Sequence, residues 1–216
     1  MKRRAHWERI WASRAPREMS WHQECPDVSL QLIRRTGLPT SARILDAGGG
    51  ASRLVDCLLD EGYEHPGVLD IAPTALAAAR DRLGPAAARV EWIEGDVMAF
   101  ETPHPWDVWH DRAVFHFLAR ATDRAAYRAA LHRSLSPAGW VVLATFGPGA
   151  PPRCSGLDVV RYDAQGLARE IGAGFELVEA RSEDHATPAG ATQAFTYCLL
   201  RRAGPAPALQ PPSHLR

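Results

Sequence analysis

The stretch between residues 42 and 59 constrains the fold of this chain more than any other. The apolar run of residues 42–45 ends at Asp46, the glycines Gly48 to Gly50 follow, and Leu54 opens a segment whose apolar residues recur at helical spacing. This order predicts a strand, a tight turn and a helix. Glycine accepts positive φ and lets a ligand approach the backbone, and the first N–H groups of a helix are free to bind polar groups. The sequence therefore predicts a ligand-binding turn.

The spacing of these glycines distinguishes two classes of nucleotide-type cofactor. A dinucleotide-binding turn has the pattern G-x-G-x-x-G/A, whose third small residue lets the helix pack closely on the strand. Counted from Gly48, the second glycine is Gly50, but the third position is Arg53. An arginine is too large for that packing, so a dehydrogenase is the least favoured interpretation.

The turn resembles motif I of the class I S-adenosylmethionine-dependent methyltransferases, which is an acidic residue followed by x-G-x-G-x-G. Asp46, Gly48 and Gly50 match that pattern, and Ser52 replaces its last glycine. The resemblance extends over residues 40–202, since further segments similar to family motifs follow in the family's order. It implies S-adenosylmethionine as cofactor, with S-adenosylhomocysteine as product, and a Rossmann-like methyltransferase fold.

The rest of the chain is consistent with that fold. Five alternating β/α units are followed by two strand-like runs, residues 175–180 and 194–200, whose connection is short enough to permit only antiparallel pairing. We predict an α/β, doubly wound, mostly parallel seven-stranded sheet with an antiparallel C-terminal hairpin. A helical cap or lid is expected over residues 1–39, the methyltransferase domain over residues 40–202, and a disordered tail over residues 203–216.

Three tryptophans lie within the predicted cap. Trp7 and Trp11 share one helical face with Ile10, and we expect these two tryptophans to pack in the core. Trp21 is placed with the lid instead, because N-terminal helices of the family commonly fold over the cofactor pocket.

Asp70 is the second acidic residue that follows a predicted strand. It lies about 20 residues after Gly48, the interval expected for an acid that binds a ribose. A simple strand-end cap is the structural alternative. The family resemblance further implies that Asp96 binds the adenine amine and that Val97 supplies an N–H and an apolar contact. The predicted cofactor-binding residues are Asp46, Gly48, Gly49, Gly50, Ser52, Asp70, Ile71, Asp96, Val97 and His110.

The methyl acceptor is expected outside the carboxyl ends of the strands, where ligands of open α/β sheets bind. Histidine suits proton removal at neutral pH, so the predicted catalytic residues are His110, Asp111 and His116, with His185 less favoured as a base. An internal Asp111–Arg112 ion pair is an equally good interpretation of those two residues. The predicted acceptor contacts are Trp21, Arg112, Phe115, Phe146, Cys154 and His185. A soft-metal or metalloid site of Cys154 and His185 is a minor alternative, and no metal ion is predicted.

Composition limits the classes of partner. The 25 Lys and Arg residues balance 25 Asp and Glu residues, so no global basic field attracts nucleic acid. No apolar run reaches membrane-spanning length. Four scattered cysteines without a C-x-x-C pair argue against a zinc site or a disulfide framework and favour the reducing cytoplasm.

The favoured function is methylation of a small molecule on O, N or S by a monomeric or homodimeric S-adenosylmethionine-dependent enzyme. Two alternatives remain open at this stage. A protein-lysine methyltransferase would need an acidic, aromatic rim, for which Trp106, Trp109 and Asp111 are available. A non-catalytic cofactor-binding regulator is compatible with Ser52 and with the absence of a clear catalytic base.

Overall fold

The computed structural model describes residues 2–204, which form alternating strands and helices linked by loops and short 3₁₀ turns. The elements are, in chain order, α1 (Lys2–Ser13), α2 (Asp27–Arg35), β1 (Arg43–Ala47), α3 (Leu54–Asp60), β2 (His65–Asp70), α4 (Pro73–Leu83), β3 (Glu91–Glu94), β4 (Trp106–Arg112), α5 (Ala121–Ser134), β5 (Leu135–Phe146), β6 (Arg153–Cys154), β7 (Leu157–Asp158), α6 (Ala164–Ile171), β8 (Phe175–Ala186) and β9 (Thr192–Arg202).

Seven of these strands form one sheet in the order β3-β2-β1-β4-β5-β9-β8. Strands β1 to β5 pair in parallel, and β9 runs antiparallel between β5 and β8. The predicted doubly wound sheet with a C-terminal hairpin is therefore confirmed. The strand order reverses between β1 and β4, which opens a crevice at their carboxyl ends.

Apolar side chains cover both faces of the sheet. On β5, Val141 and Leu143 belong to one core cluster with α5 and α6, whereas Val142 and Ala144 belong to a second cluster with α2 and α3. This alternation follows from the two-residue period of a strand. A sheet that is buried on both faces holds its carboxyl ends rigidly, and those ends carry the site.

The hairpin is longer than the sequence pattern indicates. β8 extends to Ala186 and β9 begins at Thr192, because the two strands remain paired up to Ala186↔Thr192. Solvent-facing residues of β8 alternate with half-buried ones. Backbone pairing therefore continues beyond the apolar run from which the strand was predicted.

The described residues leave out residue 1 and residues 205–216. The tail predicted over residues 203–216 lies outside them apart from residues 203 and 204. Between residues 2 and 204, no helix has both the length and the apolar character that crossing a membrane requires.

Candidate functional site

A cavity of about 430 Å³ lies at the carboxyl ends of β1, β2 and β4 and reaches β5 and β9. Its position is the crevice at which the strand order reverses. Nine of the ten predicted cofactor residues line it, namely Asp46, Gly48, Gly49, Ser52, Asp70, Ile71, Asp96, Val97 and His110. Gly50 lies directly behind the lining, between the side chains of Trp11 and Asp70.

The glycine turn is packed so closely that side chains are excluded. Gly48 and Gly50 have φ values of 76° and 51°. A Cβ atom on Gly48 would overlap Cγ2 of Val114, and one on Gly50 would lie 2.8 Å from Cζ2 of Trp11. The Gly48 N–H donates to the carbonyl of Leu69 at 2.6 Å, which ties the turn to the end of β2. Backbone therefore forms this part of the cavity wall.

Three carboxylates face the cavity, and each uses one oxygen locally. Oδ1 of Asp70 accepts the N–H of Ala72 at 2.8 Å, and Oδ1 of Asp96 accepts the N–H of Met98 at 3.0 Å. Asp46 directs Oδ1 to His110 at 2.7 Å, whereas its Oδ2 is buried without a hydrogen-bond partner among the residues described. These carboxylates leave acceptor capacity for a ligand that donates hydrogen bonds.

Burial raises the pKa of Asp70 to about 7, and the nearby Asp46 carboxylate adds to the shift. The N–H groups of Ala72, Gly50 and Ile71 oppose it by stabilising the charged form. Asp70 therefore exchanges its proton near neutral pH when no ligand is bound.

His110 lines the cavity, but both of its ring nitrogens are occupied. Nδ1 lies 2.7 Å from Oδ1 of Asp46, and Nε2 lies 2.9 Å from Oγ of Ser29. A carboxylate only accepts, so Nδ1–H donates to Asp46 and Nε2 accepts the Ser29 hydroxyl hydrogen. This bonding suits a residue that orients Asp46, and it revises the expectation of His110 as the base.

The other two predicted catalytic residues and Phe115 lie in the core outside the cavity lining. Oδ1 of Asp111 accepts the N–H of Val114 at 2.9 Å, and burial raises the pKa of this carboxyl to about 6. Nδ1 of His116 accepts the N–H of Phe146 at 3.1 Å, and burial lowers the pKa of His116 to about 3. The structure corrects their roles to loop positioning and packing.

The residues that the protein-lysine alternative would use as its rim are buried in the described structure. Trp106, Trp109 and Asp111 are each 0 % exposed, and none of them lines the cavity. Apolar packing, rather than substrate contact, accounts for the two tryptophans.

Tyr127 links Asp111 and Trp109 in a buried hydrogen-bond network next to the cavity. Its hydroxyl donates to Oδ2 of Asp111 at 2.7 Å and accepts from Nε1 of Trp109 at 2.9 Å. We expect Tyr127→Phe to lower the free energy of unfolding by about 1–3 kcal/mol, because two buried polar groups lose their partner. Tyr162→Phe is the matched control, since the Tyr162 hydroxyl is buried and has no hydrogen-bond partner in the part of the chain that the structure describes. Equal losses in denaturant unfolding would contradict this assignment.

At the acceptor end, Trp21, Arg112, Phe146 and Cys154 line the cavity, and His185 does not. Nε2 of His185 instead donates to the carbonyl of Ser20 at 2.9 Å. Burial raises the pKa of the Cys154 thiol, which keeps it protonated. The structure thus places only Cys154 of the proposed Cys154–His185 pair on the cavity wall.

Arg112 pairs with a different acid from the one that the sequence indicated. Its Nη2 lies 3.7 Å from Oε2 of Glu183, and its Nε donates to the hydroxyl of Tyr197 at 2.8 Å. The expected pair with Asp111 is corrected, because Asp111 is committed to Tyr127 and to backbone N–H groups.

Several cavity residues escaped the sequence reasoning. Trp7 and Trp11 were expected in the core, but α1 has no buried residue and both side chains line the cavity. Trp7 lies edge-on to Phe117 at 5.0 Å, and Trp11 to Trp21 at 5.8 Å. The spacing of Trp7 and Trp11 correctly predicted that they share one face of a helix, but that face lines the cavity instead of packing in the core. His22, Gln23, Gln193 and Phe195 also line the cavity. Of these four, His22 adjoins Trp21, which the sequence assigned to the lid.

Comparison with known proteins is consistent with this geometry. A sequence model described as a methyltransferase domain matches residues 44–139. No curated protein matches the chain. Among solved structures, a methyltransferase from Anabaena variabilis superposes with a TM-score of 0.72 at 16% identity, over 94% of this chain and 96% of that one.

Two further structures are similar to this chain. N-methyltransferase NodS from Bradyrhizobium japonicum, solved with S-adenosylhomocysteine, has a TM-score of 0.69 at 17% identity and covers 92% of this chain and 97% of its own. The 1,6-didemethyltoxoflavin-N1-methyltransferase from Burkholderia thailandensis has a TM-score of 0.66 at 20% identity and covers 94% and 84% respectively. The predicted resemblance is confirmed at the level of fold: residues 44–139 match the methyltransferase-domain model, and the chain has the fold of the class I S-adenosylmethionine-dependent methyltransferases.

Proposed function

We propose that this protein transfers a methyl group from S-adenosylmethionine to an O, N or S atom of a small molecule. The observation that carries the proposal is a single cavity that joins the three carboxylates to an aromatic acceptor end, with α1 lying over it. Its volume of about 430 Å³ falls within the usual range for small-molecule sites. The toxoflavin-precursor enzyme from Burkholderia thailandensis acts on a small molecule, which supports the same class here.

The residues fit the cofactor at three points. The free, buried Oδ2 of Asp46 suits an ammonium group, and the ionised Asp70 can accept from both hydroxyls of a ribose. Asp96 and Val97 also line the cavity and would frame an adenine. A Cβ atom on Gly48 would overlap the side chain of Val114, which lines the same cavity. When bound, S-adenosylmethionine supplies a methyl group already activated by its sulfonium charge.

With that activation provided, the protein contributes mainly alignment. Holding an acceptor in line with the methyl carbon can supply about 7–11 kcal/mol of the barrier. A general base contributes a further factor of about 10²–10⁴, and it is needed only when the acceptor is protonated at neutral pH. The rigid carboxyl ends of β4 and β5 carry Arg112 and Phe146 at the acceptor end.

The pKa of Asp70 makes cofactor affinity depend on pH. Only the ionised carboxylate accepts from two hydroxyls, so we expect the affinity for S-adenosylhomocysteine to rise with pH through about 7 and then to level off. The free protein takes up a proton at Asp70 below that pH, and binding must release it. Titration calorimetry in buffers of different ionisation enthalpy measures this release. A pH-independent affinity across this range would contradict the role of Asp70.

Titration calorimetry with S-adenosylmethionine, S-adenosylhomocysteine and NAD tests the cofactor directly. We expect micromolar binding of the two adenosyl ligands and none of NAD. Methyl transfer to a panel of thiols, acids, amines and phenols then tests the acceptor class. Binding of NAD alone, or of no ligand, would overturn the proposal, and cofactor binding without turnover would favour the regulatory alternative.

A further inference from the structure

The segment of residues 20–24 is fixed to the acceptor end by three hydrogen bonds from different side chains. Nε2 of His185 donates to the carbonyl of Ser20 at 2.9 Å, and Nη1 of Arg112 donates to the carbonyl of Trp21 at 2.8 Å. Nε2 of Gln23 donates to Oε1 of Glu183 at 2.8 Å. A segment outside regular structure is therefore held in one place beside the cavity, and His22 lies in the middle of it.

His22 itself has the bonding of an oriented base. Its side chain lines the cavity and is 12% exposed. Nε2 lies 3.3 Å from Oε1 of Glu24, and a carboxylate only accepts, so Nε2 carries the hydrogen and Nδ1 carries the lone pair. Within residues 2–204, no hydrogen-bond partner for Nδ1 is found. The neutral imidazole thus has a free acceptor nitrogen beside the cavity.

The carboxylate of Glu24, which orients His22, is anchored beside the glycine turn, at the end of the cavity that carries the predicted cofactor residues. Oε2 of Glu24 pairs with Nη1 of Arg53 at 2.6 Å, and Arg53 follows the glycine turn directly. Arg17 lies 3.5 Å from the other oxygen of Glu24. The hydrogen bond from His22 lowers the pKa of Glu24, and the charges of Arg17 and Arg53 lower it further, so Glu24 remains charged.

The other two histidines of the cavity are bonded differently. His110 uses both nitrogens with Asp46 and Ser29. His6 lines the cavity from α1, and its Nε2 is buried without a hydrogen-bond partner among the described residues, so no carboxylate orients it. Of the three, His22 is the one that combines a free ring nitrogen with a carboxylate on the other nitrogen.

Aromatic rings line the acceptor end around this group. Trp21, Phe117, Phe146 and Phe195 all contribute to the lining, and the last two rings lie 5.1 Å apart at a near-perpendicular angle. Such walls favour a flat aromatic ligand. The guanidinium of Arg112 lies 4.4 Å from the centre of the Phe195 ring, and its Nη2 has no hydrogen bond within the described residues. A guanidinium beside the acceptor stabilises an oxygen on which negative charge develops, although Arg112 shares its charge with Glu183, 3.7 Å from Nη2.

We propose, resting on the function proposed above, that the acceptor is a small phenol and that His22 is its general base. The phenolic proton passes to Nδ1 of His22 while an oxygen lone pair forms the bond to the methyl carbon. The electron pair of the broken carbon–sulfur bond remains on the sulfur, which leaves as a neutral thioether. Glu24 and Arg53 act as positioning residues, because they reach the acceptor only through the imidazole.

The experiment compares His22→Gln with the unaltered protein on phenols and on aromatic thiols of the same shape. Aromatic thiols are ionised near neutral pH and need no base. We expect kcat/KM for phenols to fall about 10²–10⁴-fold, and that for the thiols to change by less than about threefold. The amide of glutamine can still donate to Glu24, so the segment should stay in place. His65→Gln, at an exposed histidine, is the matched control.

The pH profile provides a second readout. The pH profile of the rate on phenols should differ between the unaltered protein and His22→Gln, whereas the two profiles on aromatic thiols should coincide. The charged or titratable groups around His22 are Arg17, Glu24, Arg53, Arg112, Glu183 and His185. Glu24→Gln should lower the rate on phenols less than His22→Gln does, since the base remains but loses its carboxylate partner.

Three outcomes would overturn the proposal. Equal losses on phenols and thiols would make His22 structural, and an unchanged rate on phenols would exclude it as the base. Failure of the unaltered protein to methylate phenols, while it binds S-adenosylhomocysteine, would overturn the acceptor class and leave the cofactor assignment standing. If the unaltered protein does not bind S-adenosylhomocysteine at all, the proposed function itself fails.

Discussion

Gly48→Ala should abolish cofactor binding and destabilise the fold. The residue has φ 76°, which costs an alanine about 1–2 kcal/mol. In addition, the new Cβ atom would overlap Cγ2 of Val114, and relieving that overlap must displace either the turn or the loop after β4. Because both segments line the cavity, we expect no measurable binding of S-adenosylhomocysteine by calorimetry.

Gly62→Ala is the matched control for this substitution. Gly62 has φ 85°, and a Cβ atom there would meet nothing within 4 Å. Both variants therefore place an alanine at positive φ, at the same cost in free energy. The difference between their denaturation midpoints then measures the destabilisation caused by the overlap with Val114. Equal stability of the two variants, with cofactor binding retained by both, would show that the turn is looser than the structure indicates.

Asp70→Ala should lower the affinity for S-adenosylhomocysteine by at least about 100-fold. A hydrogen bond to a charged group contributes about 1.5–3 kcal/mol, and a carboxylate facing a ribose accepts two of them. Asp70→Asn keeps the shape but presents one acceptor oxygen and no charge, so its affinity should fall between those of the other two proteins. Its affinity should also lose the dependence on pH near 7.

Asp81→Ala serves as the control for Asp70, because Asp81 is exposed on α4. Thermal unfolding of each variant without ligand separates loss of contact from loss of fold. An Asp70→Ala protein that folds and binds with unchanged affinity would reduce Asp70 to the strand-end cap that the sequence also allowed.

The cofactor end could be predicted from the sequence because its signals are local. The acid, the glycines and the helix that follow β1 are adjacent in the chain, and Asp70 is set by the length of one β/α unit. Backbone geometry and short spacing determine these positions. The same locality made the doubly wound sheet and its C-terminal hairpin predictable, since alternating strands and helices permit few topologies.

The acceptor end depends on contacts between distant residues, and local pattern did not find them. Arg112 and its neighbour Asp111 point in different directions, which the sequence does not reveal. Arg112 reaches Glu183 across the sheet, whereas Asp111 turns into the core towards Tyr127. His110 is occupied by Ser29 from α2, 81 positions away. His22 acquires a carboxylate and a place beside the cavity only through folding.

The way α1 is attached has a consequence for the catalytic cycle. This helix covers the cavity but buries none of its own residues completely. It is held by exposed or partly exposed polar contacts, including Arg3 to Asp123 at 2.6 Å, Arg4 to Glu94 at 2.7 Å and the Thr74 N–H to Glu8 at 3.2 Å. Such contacts are weak and screened by salt, so local opening of α1 costs far less than unfolding the sheet. Spent cofactor can therefore leave when α1 opens, while the sheet beneath the cavity stays folded. Ionic strength then affects the rate of product release rather than the global stability of the protein.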